Sequence, residues 1–273
     1  GKFISPQGAN RPIVGLIALL AVLTISLIVV LVLVNRNSSH DAEYIDYAGD
    51  LRVLSQEIAK NSTEAAGGTE AAFEQLQNSR DRFQELWQYV KEGNPETGLP
   101  PLELTEQTNV QTLWSRVRNN ADEILSTRDA VLSLHEVAAT LNDTIPDLQV
   151  EYEDVVSILI DSGAPPKQIS LAERQSLLAE RIARSVNNIL TGDEDAVVAA
   201  NRFGEDARRF GRVLNAQLEG DQSMGIQALD NPDAQYVLEY VDEELFTVVS
   251  ENVDAILDFA PGLFQARDSA STI

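Results

Sequence analysis

The chain has 273 residues and a formal net charge of −23, from 43 acidic and 20 basic side chains. A surface this acidic repels phosphate backbones, which argues against nucleic acid as a partner. There is no cysteine, which excludes disulfides, thiolate metal sites and cysteine nucleophiles. The two histidines, His40 and His135, lie far apart in sequence, so a zinc site is not expected.

The first part of the chain is predicted to anchor it in a membrane. Residues 13–34 carry no charged side chain, and as a helix this run spans roughly 33 Å, which matches a bilayer core. A cleaved signal peptide is the alternative, but its apolar region would be shorter and would end in a small-residue cleavage site. Lys2 and Arg11 precede the run, so residues 1–12 are expected in the cytoplasm and the rest of the chain outside it.

Beyond residue 40 the apolar periodicity predicts helices almost throughout. Its three clearest stripes are Tyr47, Leu51, Leu54 and Ile58; Phe73, Leu76, Phe83, Leu86 and Val90; and Leu113, Val117, Ile124, Val131, Leu134 and Leu141. The third helix is predicted to continue towards Ile160, with a kink or a split at Pro146. Breaks are predicted at residues 67–68, 93–101 and 162–166, where glycine and proline cluster.

The second half of the chain repeats the first. Residues 56–60 match 180–184, residues 80–83 match 207–210, and residues 120–125 match 252–257, in the same order. The expected fold is therefore all-α, with one N-terminal transmembrane helix followed by two tandem repeated helical-bundle modules. The modules are predicted at residues 39–162 and 167–273.

A candidate binding residue, Arg52, lies just outside the predicted membrane segment. On a helix it shares one face with Ala48, Ser55 and Ala59, and these small residues would let another helix approach closely. If that helix belonged to a second copy, two Arg52 guanidiniums would converge across a two-fold axis, and an oxyanion between them would be held bidentately. The alternative is that Arg52 pairs with Gln56 or a nearby carboxylate on a solvated face.

Nothing in the sequence resembles a catalytic site, because serine, carboxylate and histidine side chains form no cluster of that kind. We therefore expect no enzymatic activity and no cofactor. The acidic run at residues 192–195 has too few ligands for calcium and is better explained as the N-cap of a helix that starts near Ala196.

Residues 48–56, Ala-Gly-Asp-Leu-Arg-Val-Leu-Ser-Gln, resemble the opening motif of the type IV pilus methyl-accepting transducer N-terminal domain, the PilJ type. That family is related to the nitrate and nitrite sensor kinases of the NarX/NarQ type. Similar stretches occur at residues 126–135, 145–153, 174–182, 203–207 and 210–214, so the resemblance extends from about residue 39 to the end. It implies a periplasmic sensory domain on the bacterial inner membrane. A second membrane helix, a HAMP linker and a methyl-accepting coiled coil that controls a cytoplasmic histidine kinase would follow, and the output would govern type IV pilus (twitching) motility.

The resemblance also implies a site. In the nitrate sensors the motif arginine grips the anion at the dimer interface, and here that role falls on Arg52, with Ala48, Gly49, Ser55 and Gln56 around it. This sequence departs from those sensors at the next position, where Val53 stands in place of their usual methionine.

The second module departs further from the motif. Ser176 occupies the aligned position, and Arg174 lies two residues earlier, about 200° around the helix, so Arg174 cannot take the same geometric place. It remains a secondary candidate.

The expected partners are the membrane, a second copy in a homodimer, a small anion or a pilin subunit, and a cytoplasmic kinase and adaptor. Two other functions fit the same sequence. One is a nitrate- or nitrite-type anion sensor of a sensor kinase, and the other is a membrane-anchored scaffold without signalling.

Overall fold

The computed structural model describes residues 40–102 and 107–273, so the predicted cytoplasmic segment 1–12 and membrane segment 13–34 lie outside the described residues. Within them the prediction of an all-α fold is confirmed. The helices are α1 Asp41–Ala66, α2 Glu70–Glu92, α3 Gln107–Ser126, α4 Arg128–Asp161, α5 Pro166–Thr191, α6 Ala196–Glu219, α7 Pro232–Tyr240 and α8 Thr247–Thr272. A π-helical segment, Val241–Phe246, joins α7 to α8 without a break. None of the described helices is both long enough and apolar enough to cross a bilayer.

The predicted breaks at residues 67–68, 93–101 and 162–166 are confirmed, and Gly93 shows why glycine is needed at one of them. It ends α2 with a φ of +90°, and a Cβ there would lie 2.6 Å from the carbonyl oxygen of Leu99. Only glycine combines that backbone conformation with so close an approach.

The third predicted helix divides at Thr127, and Pro146 does not split it. The predicted split at Pro146 is therefore wrong, while the kink stays a prediction. The Thr127 hydroxyl donates to the Ile124 carbonyl at 2.7 Å and closes a turn there. Pro146 lies inside the continuous helix α4. Leu141, Ile145 and Leu148 on either side of it are fully buried. Burial of such side chains contributes about 1.5–3 kcal/mol each, enough to offset the roughly 3 kcal/mol that an interior proline costs.

The described residues form two compact units. Unit 1 contains the chain up to Asp129 together with Gln265–Ile273, and unit 2 contains Ala130–Phe264. These units do not coincide with the predicted sequence modules, because residues 130–162 of the first module belong to unit 2 and Gln265–Ile273 of the second belong to unit 1. The Ser269 hydroxyl, for example, donates to Glu123 at 2.6 Å. The modules at residues 39–162 and 167–273 stay a prediction from the sequence repeat.

The same order of elements nevertheless occurs twice along the chain. A helical hairpin, α1–α2 or α5–α6, is followed by a turn closed by an antiparallel bridge, Asn94 with Leu99 or Asp221 with Ile226. Three residues after each bridge, a backbone N–H returns to the second helix of the hairpin: Leu102 to the carbonyl of Val90 at 3.0 Å, and Leu229 to that of Gln217 at 2.9 Å. Equivalent positions in the two copies can therefore be paired residue by residue.

One pair of equivalent contacts ties the two helices of each hairpin together. In unit 1 the Ser79 hydroxyl donates to the Glu57 carboxylate at 3.2 Å. In unit 2 the corresponding residues are Asp206 and Arg181, which form a bidentate ion pair at 2.6 and 2.5 Å. The two helices of the hairpin are thus joined by a hydroxyl–carboxylate hydrogen bond in one copy and by a bidentate arginine–aspartate ion pair in the other.

The cores of the two units differ in their polarity. Phe83 and Trp114 stack in unit 1 with ring centroids 4.1 Å apart. In unit 2 the buried Tyr152 makes an edge contact with Phe210 and donates its hydroxyl hydrogen to Gln217 Oε1 at 2.7 Å. Gln175 Nε2 donates to the Tyr152 oxygen at 3.3 Å, so a buried polar chain runs through the core of unit 2.

The π-helical segment places Phe246 against a glycine of α6. A Cβ on Gly211 would lie 2.6 Å from two carbons of the Phe246 ring, which is too close. A Cβ on Gly204 of the same helix would have its nearest neighbour at 3.4 Å, an ordinary contact distance. Gly211 is therefore the position at which α6 requires the absence of a side chain.

We expect Gly211→Ala to destabilise the protein by about 1–3 kcal/mol, because the added methyl overlaps the partly buried ring of Phe246. Gly204→Ala is the matched control. It gains roughly 0.5–1 kcal/mol of helix propensity against ordinary contacts and should be neutral or stabilising. Urea unfolding followed by circular dichroism measures both, and equal effects of the two substitutions would refute this account of the π segment.

The buried phenol predicts a pH dependence of stability. Burial raises the pKa of Tyr152 well above its usual range. In the unfolded chain that pKa returns to about 10, so the unfolded state loses a proton above that pH while the folded state keeps it. The contribution of Tyr152 is therefore fully present below pH about 10 and is lost as the pH rises further.

Tyr152→Phe should flatten this alkaline fall in the free energy of unfolding. At neutral pH it should also cost about 1–3 kcal/mol, because Gln217 and Gln175 lose a buried partner. The exposed Tyr236 supplies the control, Tyr236→Phe. If the free energy of unfolding of both variants falls as steeply as that of the wild type between about pH 9 and 11, the raised pKa of Tyr152 does not contribute to alkaline stability.

Candidate functional site

Helix α1 presents one side to the interior of unit 1 and the other to solvent. Its buried side follows helical spacing and consists of Tyr44, Ala48, Leu51, Ser55, Ile58, Ala59, Asn61, Ser62, Ala65 and Ala66. The short turn after Ala66 folds α2 back against this side, which the Ser79–Glu57 hydrogen bond also joins. The rotation of α1 about its axis is fixed by this burial.

The structure divides the five candidate residues between the two sides. Ala48 and Ser55 are buried within unit 1, and the Ser55 hydroxyl donates a hydrogen bond to the Arg52 carbonyl at 2.7 Å. Gly49, Arg52 and Gln56 are exposed. The predicted face of Ala48, Arg52 and Ser55 is therefore not open to a second helix as a whole, since its small residues serve the packing of this chain and Arg52 lies at its edge.

A different set of residues surrounds Arg52 on the surface. We call it the α1 outer face: Ile45, Gly49, Arg52, Val53 and Gln56. Ile45 and Val53 are 42% and 49% exposed, so two large apolar side chains lie on the surface near Arg52. Nothing lies within 4 Å of a Cβ built on Gly49, so the surface there is open. The α1 outer face thus combines apolar side chains, a glycine and one cation.

The Arg52 guanidinium makes no hydrogen bond or ion pair with any residue that the structure describes. The four positions one helical turn away hold Ala48, Gly49, Ser55 and Gln56, and none of these can neutralise a cation. Some other arginines are engaged by carboxylates: Arg80 is held by Asp81 and Asp122, and Arg202 is held by Glu194. In a chain with 43 acidic residues, an arginine without an acidic neighbour is a cation available to another molecule.

The N-terminal end of α1 is tied to the bridged turn of unit 1. Tyr47 and Thr97 both donate to Glu43 Oε1 at 2.7 Å, and Asn94 donates to the Tyr47 oxygen at 2.8 Å. The bonds from Thr97 and Tyr47 lower the pKa of the Glu43 carboxyl. Tyr44 also donates to the carbonyl of Pro100. This network holds the start of α1 in a fixed orientation beside the α1 outer face.

The secondary candidate, Arg174, lies in unit 2 on an exposed part of α5. It borders a groove of about 250 Å³ that Arg181, Arg209 and the exposed Leu177 also line. Arg181 is engaged by Asp206, so the groove is partly neutralised. Arg52 and Arg174 belong to different units.

Metal binding finds no support among the described residues, where no group of three or more histidine, aspartate or glutamate side chains could hold an ion. The acidic run before α6 has the predicted structural role: Asp195 caps the helix by accepting from the N–H groups of Val197 and Val198.

Sequence reasoning missed a pocket of unit 2 between the start of α5 and the turn after α6. Its lining is mostly uncharged, and no motif marks it. The only signal that could have revealed it is a comparison of the two repeats, in which buried apolar residues of the first become glutamines in the second.

Comparison with known proteins gives a consistent result. Residues 33–140 match the PilJ family model, described as type IV pili methyl-accepting chemotaxis transducer N-term. The chain is 46% identical over 276 aligned residues to Protein PilJ of Pseudomonas aeruginosa, which covers 100% of the chain and 40% of that protein. It is 48% identical over 234 residues to AlkN of Alcanivorax borkumensis, described as a methyl-accepting chemotaxis protein, which covers 85% of the chain and 33% of that relative. The chain therefore spans less than half the length of the curated relatives it matches, and the resemblance seen in its sequence is confirmed.

Proposed function

We propose that this chain, which carries a PilJ-type N-terminal domain, is the periplasmic sensory region of an inner-membrane methyl-accepting transducer. The transducer would control type IV pilus (twitching) motility through a cytoplasmic histidine kinase and its adaptor. The observation that carries the proposal is the 46% identity to Protein PilJ along the full chain. The proposal assigns no catalytic step to these residues. Residues 13–34 would be the membrane anchor, and α1 would be the first helix of the sensory region that follows it.

The proposed assembly is a homodimer formed through the α1 outer face. Ile45, Val53 and Gly49 would give two copies of α1 an apolar surface on which they can approach closely, and the two-fold axis would pass near Arg52. Two arginines that converge there repel each other, so the interface would be poised between packings of similar free energy. A ligand or a pilin subunit shifts such an equilibrium only by binding one packing more tightly than the other.

The signal would then be a small displacement of α1 relative to its partner copy. Helix shifts at subunit interfaces are typically about 1–2 Å, and a continuous helix transmits them along its length. The bonds that tie Glu43 and Tyr47 to the bridged turn would couple the start of α1 to the rest of unit 1.

The 273 residues of this chain contain no cysteine, so a single introduced cysteine is the only thiol among them. Single substitutions Gly49→Cys, Val53→Cys and Gln56→Cys in the full-length protein should form disulfide-linked dimers in oxidised membranes, because facing positions of paired helices bring their Cβ atoms within disulfide range. Gln88→Cys, on an exposed part of α2, is the matched control and should stay monomeric. Non-reducing electrophoresis of isolated membranes gives the answer. Equal cross-linking at all four positions would contradict a specific α1 interface.

The same variants test the signalling role in living cells. Oxidation of cells that carry Val53→Cys should change the diameter of the twitching zone, because a covalent link fixes one packing of the dimer. Reduction should restore it, and Gln88→Cys should respond to neither treatment. If the cross-linked receptor supports twitching like the wild type after both oxidation and reduction, the proposed signalling role is contradicted.

A nitrate- or nitrite-type anion sensor is the second candidate, favoured by the exposed Arg52 guanidinium without a partner among the described residues. Two such groups across a two-fold axis would hold a planar oxyanion between them. The nitrate sensors usually carry methionine at the position of Val53, so the anion-sensor function is less well supported than the pilus-transducer function.

Calorimetric titration of the 273-residue chain in detergent with sodium nitrate and sodium nitrite tests the anion sensor. Saturable binding that becomes at least about tenfold weaker in Arg52→Ala is expected, since a lost charge-assisted bond is worth about 1.5–3 kcal/mol. Arg118→Ala removes the same charge from an exposed site of α3 and should bind like the wild type. Absence of heat from folded wild-type protein would exclude nitrate and nitrite and leave a receptor driven by a protein partner.

A further inference from the structure

Unit 2 contains a pocket that no feature of the proposed signalling interface uses. Its volume is about 500 Å³, within the usual range of about 300–1,000 Å³ for small-molecule sites. One wall is the start of α5, the other is the bridged turn after α6, and Gln217 near the end of α6 contributes to the lining. The lining residues are Pro165, Lys167, Gln168, Leu171, Gln217, Gln222, Gly225, Ile226, Gln227 and Leu229.

The repeat shows what occupies the corresponding place in unit 1. The paired bridges and the paired bonds from Leu102 and Leu229 make the two turns equivalent. By the same repeat, Gln168 and Leu171 of α5 correspond to Tyr44 and Tyr47 of α1.

In unit 1 these two tyrosines fill the space. Tyr44 is buried against Leu99 of the bridged turn, and Tyr47 packs against the same cluster. Both phenols are hydrogen-bonded there, Tyr44 to the Pro100 carbonyl and Tyr47 to Asn94 and Glu43. Unit 2 keeps the architecture of the turn but carries shorter side chains at both tyrosine positions, and the pocket is the space they leave.

The floor of the pocket is polar in unit 2 alone. Gln217 is fully buried, and its equivalent in unit 1 is the buried, apolar Val90. The Gln217 amide accepts from Tyr152 through Oε1, but its Nε2 has no hydrogen-bond partner among the described residues. If the amide oxygen and nitrogen were exchanged, Oε1 instead of Nε2 would have no hydrogen-bond partner, so one polar atom of Gln217 lacks a partner in either assignment. A buried polar atom without a partner costs folding free energy, so the side of the pocket next to Gln217 is less favourably packed than the same place in unit 1.

The rim of the pocket supplies one charge, and it is positive. Lys167 donates to the Gly225 carbonyl at 2.7 Å, which places its ammonium over the turn with two further N–H groups to spare. No acidic side chain lines the pocket. The nearest one in the turn, Asp221, uses Oδ1 to accept from Ser223 and Met224, and these bonds lower the pKa of its carboxyl. Leu171, Ile226 and Leu229 add an apolar wall.

We infer that this pocket binds a small organic monocarboxylate with an apolar body. The carboxylate pairs with the Lys167 ammonium, and the apolar body lies against Leu171, Ile226 and Leu229. The site is separate from the α1 outer face and gives the sensory region a small-molecule input of its own.

The test uses three probe acids, hexanoate, 3-phenylpropionate and indole-3-acetate, each beside its uncharged carboxamide. Binding to the 273-residue chain in detergent is measured by saturation-transfer NMR and by thermal shift. At least one acid should bind saturably with a Kd below about 1 mM, and its carboxamide should bind about tenfold more weakly. Lys167→Gln should weaken the acid by a similar factor, whereas Lys91→Gln, an equal loss of charge on α2, should have no effect.

The decisive variant rebuilds the filled state of unit 1. Leu171→Tyr places in the pocket the residue type that fills the equivalent space beside α1, so it should abolish binding while the melting temperature is maintained or raised. If that variant fails to fold, Gln168→Tyr fills the same space from the neighbouring turn of α5. The inference is overturned if no acid binds, if a carboxamide binds as well as its acid, or if a folded tyrosine variant binds like the wild type. A failure here leaves the cross-linking test of the proposed function untouched, since the two sites share no residue.

Discussion

Burial of the small-residue side of α1 against the interior of unit 1 is the constraint on which the rest depends. Ala48, Ser55 and Ala59 lie almost fully inside, which fixes the rotation of the helix. A helix turns by about 100° per residue, so once these positions face inward, Gly49, Val53 and Gln56 must face outward. Arg52 falls at the border of the two sides. The surface that a second copy or an anion can reach is therefore set by the packing of the first copy.

The duplicated architecture shows how one fold can be kept while its interior changes. The first copy has a tyrosine-filled turn and an apolar residue, Val90, where the second has Gln217. Gln175 and Gln217 satisfy each other only in part through Tyr152, and an unpaired buried amide atom costs about 1–3 kcal/mol. The second copy thus has a polar interior where the first is apolar, beside a pocket whose equivalent place the first copy fills with tyrosines.

The sequence predicted the helices, most of their ends and the repeat, because apolar periodicity, glycine and proline are local signals. The predicted split at Pro146 is wrong, because buried neighbours hold the helix together through tertiary packing that no local pattern reports. The importance of Arg52 could be inferred from the motif, but which residues lie beside it could not. Ala48 and Ser55 have the same small size as surface residues that admit a partner helix, and only the packing of unit 1 shows that they are used within the chain. The pocket of unit 2 was not predicted for a related reason, since it is formed where the side chains of unit 2 are shorter than the equivalent side chains of unit 1.

The central claim is that α1 meets its own copy through the α1 outer face in a signalling dimer. Pulsed electron paramagnetic resonance on nitroxide-labelled Gln56→Cys, in full-length protein reconstituted into bilayers, measures this distance without a covalent trap. Helices in contact have axes about 8–10 Å apart, so the account predicts one short and narrow inter-copy distance at this position and a long one for labels at Gln88→Cys. A long or broad distribution at Gln56, in protein that is otherwise folded, would contradict the α1 interface and with it the proposed route of the signal.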